Sequence, residues 1–268
     1  MQAVEERTQC INMKKYLICV DSDGTAMDTM TIKHQRCFGP LIIPTWNLKE
    51  YQEAILERWD EINLFSSLRG INRFSGLQIM LNEVNEKYTK IEDLDSYNTW
   101  CNNTSVFSHA ELENYYKDHP SSCIKKVLDW SKTVNEEIKK LKPEDKNAFK
   151  GAKEVLEHCF NYADIAIVSS ANKKAVIEEW ERCELLQFTN YTMTQEEGTK
   201  HECIKKLLEL GYEPNNVIML GDSIEDLKAA NANNVHYFAI RPKEEVESWQ
   251  DFKNDAFNKF LKGEYKHG

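Results

Sequence analysis

A doubly wound parallel sheet, with an all-helical domain inserted after its first strand, is the fold class this sequence predicts. Three observations carry it. Tyr16-Leu-Ile-Cys-Val20 is a continuous apolar run of the kind found in a strand buried on both faces. Four further apolar runs alternate with helical patterns after Pro143, as in a βαβ succession. Between them, from Asp28 to about Lys146, only helical periodicity is visible.

Taken in order, residues 1–14 form a polar lead-in, expected to fray at its start. The first strand is 16–20. Within the insert, Leu48, Tyr51, Ile55, Leu56, Trp59 and Ile62 recur at helical spacing, as do Leu77, Met80, Leu81 and Val84. Helices are also expected over 112–116 and 124–141, with breaks at Asp95-Ser-Tyr-Asn98 and His119-Pro-Ser121. The alternating part gives a helix over 151–160, a strand at 165–168, a helix over 173–181 and a strand at 188–193. A helix over 201–210, a strand at 217–220, a helix over 224–231 and a strand at 235–240 complete it. Trp249, Phe252, Phe257 and Phe260 fall at roughly helical intervals and predict a tail helix packed on the core. The organisation is therefore a Rossmann-like core from 1–27 and 147–268, with a helical cap domain over 28–146.

Composition narrows the function. The chain has 268 residues, enough to bury a sizeable core, and 41% hydrophobic content, with a mean hydropathy of −0.62. No apolar run approaches the roughly 18 residues that a membrane span needs, and the N-terminal residues lack the apolar core of a signal peptide. Eight scattered cysteines show no metal-binding pairs and are expected to be reduced, in a cytoplasmic protein. A net charge of −10 and a pI near 5.3 argue against a nucleic-acid partner. An anionic substrate must then find local positive charge.

The predicted strand ends supply such groups. Asp21-Ser-Asp23-Gly-Thr25 places two carboxylates just past the first strand, where open parallel sheets gather their chemistry. Like charges that close need a cation or a proton between them. The second strand ends in Ser169-Ser170, a hydroxyl beside helix-start amides that suits phosphate oxygens. Lys200 opens a helix at the end where the dipole disfavours a cation, which suits an anion ligand. Gly221-Asp222-Ser-Ile-Glu-Asp226 sets two acids on one face of a first helical turn.

Together these four strand ends resemble the haloacid dehalogenase superfamily, in particular its helical-cap phosphatases of the β-phosphoglucomutase and phosphoglycolate phosphatase type. The resemblance runs from about Tyr16 to Ile240. It implies that Asp21 is the nucleophile that forms an aspartyl-phosphate. Asp23 is implied as general acid and base. Asp21, the backbone carbonyl of Asp23 and Asp222 are implied as Mg²⁺ ligands, hard oxygen donors for a hard cation. Ser169, with Ser170 beside it, and Lys200 would grip the transferred phosphoryl, and Asp226 would stand behind the metal and lysine. Superfamily members that cleave carbon–halogen or carbon–phosphorus bonds lack an aspartate at the position of Asp23, so a phosphomonoester is the implied substrate class. A dry site under a closed cap is expected to raise the Asp23 carboxyl pKa toward neutrality.

In the cap, Leu68-Arg69-Gly70-Ile71-Asn72-Arg73 resembles the specificity loop of the β-phosphoglucomutases. Arg73, and Arg69 with it, would bind a distal anionic group bidentately; Lys33 and His34 are further candidates near the hinge. The large cap favours a small phosphorylated metabolite. The expected activity is a Mg²⁺-dependent phosphomonoesterase, the alternative a phosphomutase sharing the aspartyl-phosphate. A signalling receiver is disfavoured by the insert and by Asp21-x-Asp23-Gly-Thr.

Overall fold

The structure is a computed structural model that describes residues 13–266. The expected lead-in and Cys10 fall largely or wholly outside the described residues. Five parallel strands form one sheet: β1 (Tyr16–Val20), β2 (Ala163–Val168), β3 (Tyr191–Met193), β4 (Val217–Gly221) and β5 (His236–Ala239), in the order β3-β2-β1-β4-β5. The first strand is thus the central one. Val20 lies opposite Ile167 on one side and Leu220 on the other, and the Asp21 N–H continues the ladder to the Leu220 carbonyl at 3.0 Å.

Alternation along β1 explains why the apolar run is unbroken. Ile18 and Val20 pack beneath the helices Ala152–Phe160 and Lys173–Arg182 and the C-terminal helical segment; Leu17 and Cys19 face the helix Lys200–Leu208 and the start of the next layer. Both faces are dry, so neither set can be polar. The tail residues Trp249, Phe252, Phe257 and Phe260 are buried in the first of these cores, as their spacing predicts. Each such side chain contributes roughly 2–3 kcal/mol of burial.

Between β1 and β2 every regular element is helical among the described residues. Their buried side chains, from Cys37 to Val134, form a separate hydrophobic cluster that includes Trp59, Trp100 and Trp130. The expected break at His119-Pro120-Ser121 is present: the helix His109–Asp118 stops there, and Ser121 caps Ser122–Lys140 by accepting the Ile124 N–H at 3.2 Å.

Elsewhere the sequence reading needs correction. Asp95-Ser-Tyr-Asn98 is no break but lies inside the helix Leu94–Asn103. Its polar residues face outward while Leu94, Tyr97, Trp100 and Cys101 are buried, and the Tyr97 hydroxyl donates to the Phe74 carbonyl at 2.8 Å. Residues 30–46, for which the sequence places no particular helix, form one helical run through Pro40 and Pro44. A π turn at His34–Phe38, with the Gly39 N–H on the His34 carbonyl, stands just before Pro40, where a regular helical bond would be lost. The strand expected from Phe188 begins only at Tyr191; Leu186–Phe188 is a 3₁₀ turn, and the Thr189 N–H closes it on the Leu186 carbonyl. β2 starts earlier than expected because Asp164 interrupts the apolar run. That acid is buried and accepts from the Tyr212 hydroxyl at 2.6 Å and the Lys14 N–H at 2.8 Å.

The cysteines from Cys19 to Cys203 are free thiols, and none of the described helices is long and apolar enough to cross a membrane.

Candidate active site

Three strand ends and one helix start converge at the carboxyl edge of the sheet. Asp21 leaves β1, Ser169 leaves β2, Asp222 leaves β4, and Lys200 opens the helix Lys200–Leu208. The Lys200 ammonium bridges two buried acids, 3.0 Å from Asp21 Oδ2 and 2.6 Å from Asp226 Oδ1. Asp21, Asp222 and Asp226 each bring a carboxylate oxygen within 4.8 Å of the others. Burial pushes the Asp21 carboxyl well above its usual range, opposed by Lys200 and helped by Asp226 and Asp222. Burial likewise raises Asp222, against the pull of Arg69. Lys200 is held firmly charged: its two carboxylates outweigh the cost of burying it. Crowded carboxylates with raised pKa values and only oxygen donors are what a hard divalent cation relieves.

Local sequence fixes these positions. Ser223 and Asp226 form a capping box at the helix Ile224–Ala232, so Asp226 Oδ2 receives the Ser223 N–H at 3.1 Å and hydroxyl at 2.6 Å while Oδ1 turns to Lys200. Thr199 and Glu202 make a second capping box that sets Lys200 as the first helical residue. Two indoles brace the loop after β1: Trp180 Nε1 donates to Ser22 Oγ and Trp249 Nε1 to the Thr25 carbonyl, each at 2.9 Å. The Thr25 hydroxyl in turn donates to Asp222 Oδ1 at 2.9 Å.

Gly24 has a φ of +85°, and a Cβ there would stand 2.4 Å from Asp222 Oδ2. Gly24→Ala is therefore expected to cost roughly 2 kcal/mol or more, from the left-handed backbone and the clash combined. Urea unfolding measures it; an unchanged midpoint would refute this account of the turn.

A cavity of about 100 Å³ opens beside Asp21 and Asp23, lined also by Lys33, His34, Phe38, Arg73, Ser169, Ser170, Gln195 and Lys200. Ser169 is buried, its hydroxyl accepting the Ala171 N–H at 3.2 Å, whereas Ser170 is exposed at the rim. Arg73 stacks over Phe38, 4.7 Å from the ring centre, and donates to Asn135 Oδ1 at 2.7 Å. Burial pushes its guanidinium pKa down to about 10, which leaves it charged at neutral pH.

Four expectations do not match this geometry. Arg69 does not face a distal group in the cavity: its Nε lies 2.6 Å from Asp222 Oδ2 and its Nη1 donates to the Leu64 carbonyl. It lines a neighbouring cleft instead, because the turn at Gly70 packs on Ser223 and carries the preceding side chain to the Asp222 side. Lys33 is not an open anion site either. It is paired with Asp23 Oδ1 at 2.8 Å and Glu179 Oε1 at 3.0 Å. His34 stacks on Phe38, and burial holds its pKa down at about 3, so it carries no charge for an anion. Finally, the Asp23 carboxyl is lowered, not raised. Burial alone would push it up, but Lys33 and the Thr29 hydroxyl, both bonded to its Oδ1, outweigh that.

The sequence reading missed Thr29 and Glu179. Thr29 gives no signal beyond being a hydroxyl near the motif. Glu179 did leave one: it shares a helical stripe with the buried Val176 and Trp180, where an acid needs a partner.

The sheet order and its carboxyl edge define a doubly wound α/β protein whose candidate site lies at the end of its central strand. The family profile described as "Haloacid dehalogenase-like hydrolase" matches residues 77–240, and the chain belongs to that family. The match begins inside the helical insert and does not cover Asp21 and Asp23. No curated protein matches the chain in sequence. Similar solved structures include a haloacid dehalogenase-like hydrolase from Bacteroides fragilis, at 14% identity and a TM-score of 0.57, with 88% of this chain and 93% of that one covered. A protein described as a phosphoglycolate phosphatase from Lactobacillus delbrueckii subsp. bulgaricus aligns with a TM-score of 0.52 at 15% identity, over 85% and 86%. One described as a β-phosphoglucomutase from Thermotoga maritima gives 0.50 at 16%, over 88% and 99%. At these identities the likeness is one of fold.

Proposed function

We propose that this chain is a Mg²⁺-dependent phosphomonoester hydrolase acting on a small phosphorylated metabolite through an aspartyl-phosphate. In this reading residues 1–27 and 147–268 are the catalytic core and 28–146 the cap. The observation that carries it is the Lys200 ammonium seated between Asp21 and Asp226 at the end of the central strand. That is a nucleophile and a phosphoryl clamp in one place, and family membership supports it.

Asp21 attacks phosphorus: its carboxylate oxygen bonds to phosphorus as the bond to the ester oxygen breaks, and the departing oxygen takes a proton from the protonated form of Asp23, a minority at neutral pH because Lys33 and Thr29 hold that carboxyl below its usual range. Water then bonds to phosphorus, yields a proton to Asp23, and Asp21 is released. Lys200 and Ser169 hold the phosphoryl oxygens and stabilise the charge that builds there. Asp21, Asp222 and the backbone carbonyl of Asp23 would hold Mg²⁺, with Asp226 close behind. When bound, the ion supplies positive charge that offsets repulsion between Asp21 and a phosphate dianion. Arg73, at the cavity wall, suits a second anionic group on the substrate.

A screen of phosphorylated metabolites for inorganic phosphate release, with Asp21→Asn as blank, tests the reading. Turnover is expected with Mg²⁺ and a loss of about 100-fold or more with EDTA, since the ion's charge stabilisation is worth several kcal/mol. Turnover indifferent to chelation, or equal in the blank, would falsify it. The arginine at the cavity wall also favours a second reading, a phosphomutase. Isomer formation from a hexose phosphate without phosphate release separates that reading from the first.

A further inference from the structure

We propose that Lys33 and Glu179 form a positioning pair for Asp23, holding that acid by Oδ1 and so presenting Oδ2 to the leaving oxygen of the substrate. The inference rests on the phosphomonoesterase reading above and deepens it, naming how the acid is aimed.

The geometry is specific. Lys33 Nζ lies 2.8 Å from Asp23 Oδ1, and it is gripped from the other side by both Glu179 oxygens, at 3.0 and 3.1 Å. The Thr29 hydroxyl donates to the same Asp23 oxygen. Among the described residues no hydrogen bond falls on Asp23 Oδ2, and both Asp23 and Lys33 line the cavity. A carboxyl fixed by one oxygen has its other oxygen's direction fixed as well.

Stability alone is a poor reason for such a cluster. The Lys33 and Glu179 side chains are only 8% and 9% exposed, and a buried ion cluster commonly stabilises no more than apolar residues of the same volume. What the pair does supply is anchorage. Glu179 belongs to the helix Lys173–Arg182, which packs on the sheet through Val176 and Trp180. Trp180, the next residue, braces Ser22 between the two catalytic acids. One turn of one helix thus fixes both the loop and the direction of the acid, tying Asp23 to the element that carries Asp21. Lys33 and Glu179 touch neither phosphorus nor the leaving group in this scheme; they act through Asp23.

Acid assistance matters in proportion to how badly the leaving oxygen needs a proton, which gives a readout that a merely structural role would not move. Lys33→Met, Lys33→Arg and Glu179→Gln are compared with wild type, with Mg²⁺, on aryl phosphates from phenyl phosphate to 2,4-dinitrophenyl phosphate. Thermal melts verify folding. Lys33→Met and Glu179→Gln are expected to lower kcat/KM, which covers only the steps up to phosphoryl transfer, by about 10–100-fold on phenyl phosphate, a part of the 10²–10⁴ that a positioned acid provides, and by no more than about 3-fold on the dinitrophenyl ester. Lys33→Arg should recover part of the loss. If Lys33→Met does not fold, the near-isosteric Glu179→Gln carries the comparison. An equal loss along the whole series, or none on phenyl phosphate, overturns the inference while leaving the hydrolase reading intact. A wild type inert toward every ester overturns that reading, and the inference with it.

Discussion

Asp21→Asn is expected to lose turnover by about 10⁴-fold or more while melting at a higher temperature than wild type in chelated buffer. The first half follows from removing the proposed nucleophile, since residues that act as a unit lose nearly all of the rate when one is deleted. The second half follows from charge. Asp21, Asp222 and Asp226 crowd their oxygens within 4.8 Å, against the two cations Lys200 and Arg69. Asparagine keeps an oxygen for Lys200 and removes the unbalanced negative charge. The gain expected is about 1 kcal/mol, which for a chain of this size moves Tm by about 2–4 °C. Scanning calorimetry with EDTA and a phosphate-release assay with Mg²⁺ read the two halves. Opposite signs of activity and stability distinguish a reactive centre from an ordinary ion pair. A lower Tm would show that the acids are balanced without a bound cation.

Lys200→Met should fail on both counts. It strips the ammonium that stands 3.0 Å from Asp21 and 2.6 Å from Asp226, leaving two buried carboxylates with no shared partner. Breaking one side of a buried charge network costs about 3–5 kcal/mol, a fall in Tm on the order of 10 °C. The deficit should persist through neutral pH. Lys200 has its pKa raised above the ordinary 10.5, so its contribution is fully present below that pH and is lost only as pH rises further, through the folded value. Activity should fall with it, because in the proposed reaction the transferred phosphoryl loses its main protein cation. A methionine variant as stable as wild type would mean that Lys200 is not the partner the buried acids depend on.

What could be read from the sequence was whatever repeats with a period or ends a strand. β1 and β4 are unbroken apolar runs, and their terminal acids sit where parallel strands deliver side chains, so Asp21 and Asp222 were legible. Lys200 and Ser169 were legible only as members of that set. Directions of long side chains were not. Arg69 and Arg73 flank one glycine, yet the turn sends the first to Asp222 and the second over Phe38. Lys33 reads as a candidate for a substrate's anionic group until the fold brings Glu179 to it from far along the chain. For the same reason the pKa of Asp23 was misjudged: dryness was foreseeable, but the ammonium that overrides it was not. Asp164 and the Asp95–Asn98 stretch show a related limit. Polar letters inside a strand or helix read as punctuation unless their partners are known.

The indole of Trp249 reaches back to the Thr25 carbonyl across 224 positions. A ribosome making this chain in order would finish Asp21 early and the last brace of its loop late. β1 cannot take its central place before residues 217–221 exist, nor is its loop propped until Trp249 has emerged. Long-separation contacts of this kind slow assembly, and under the proposed reaction the growing polypeptide carries no complete phosphate-transfer centre. A half-made copy should be chemically silent.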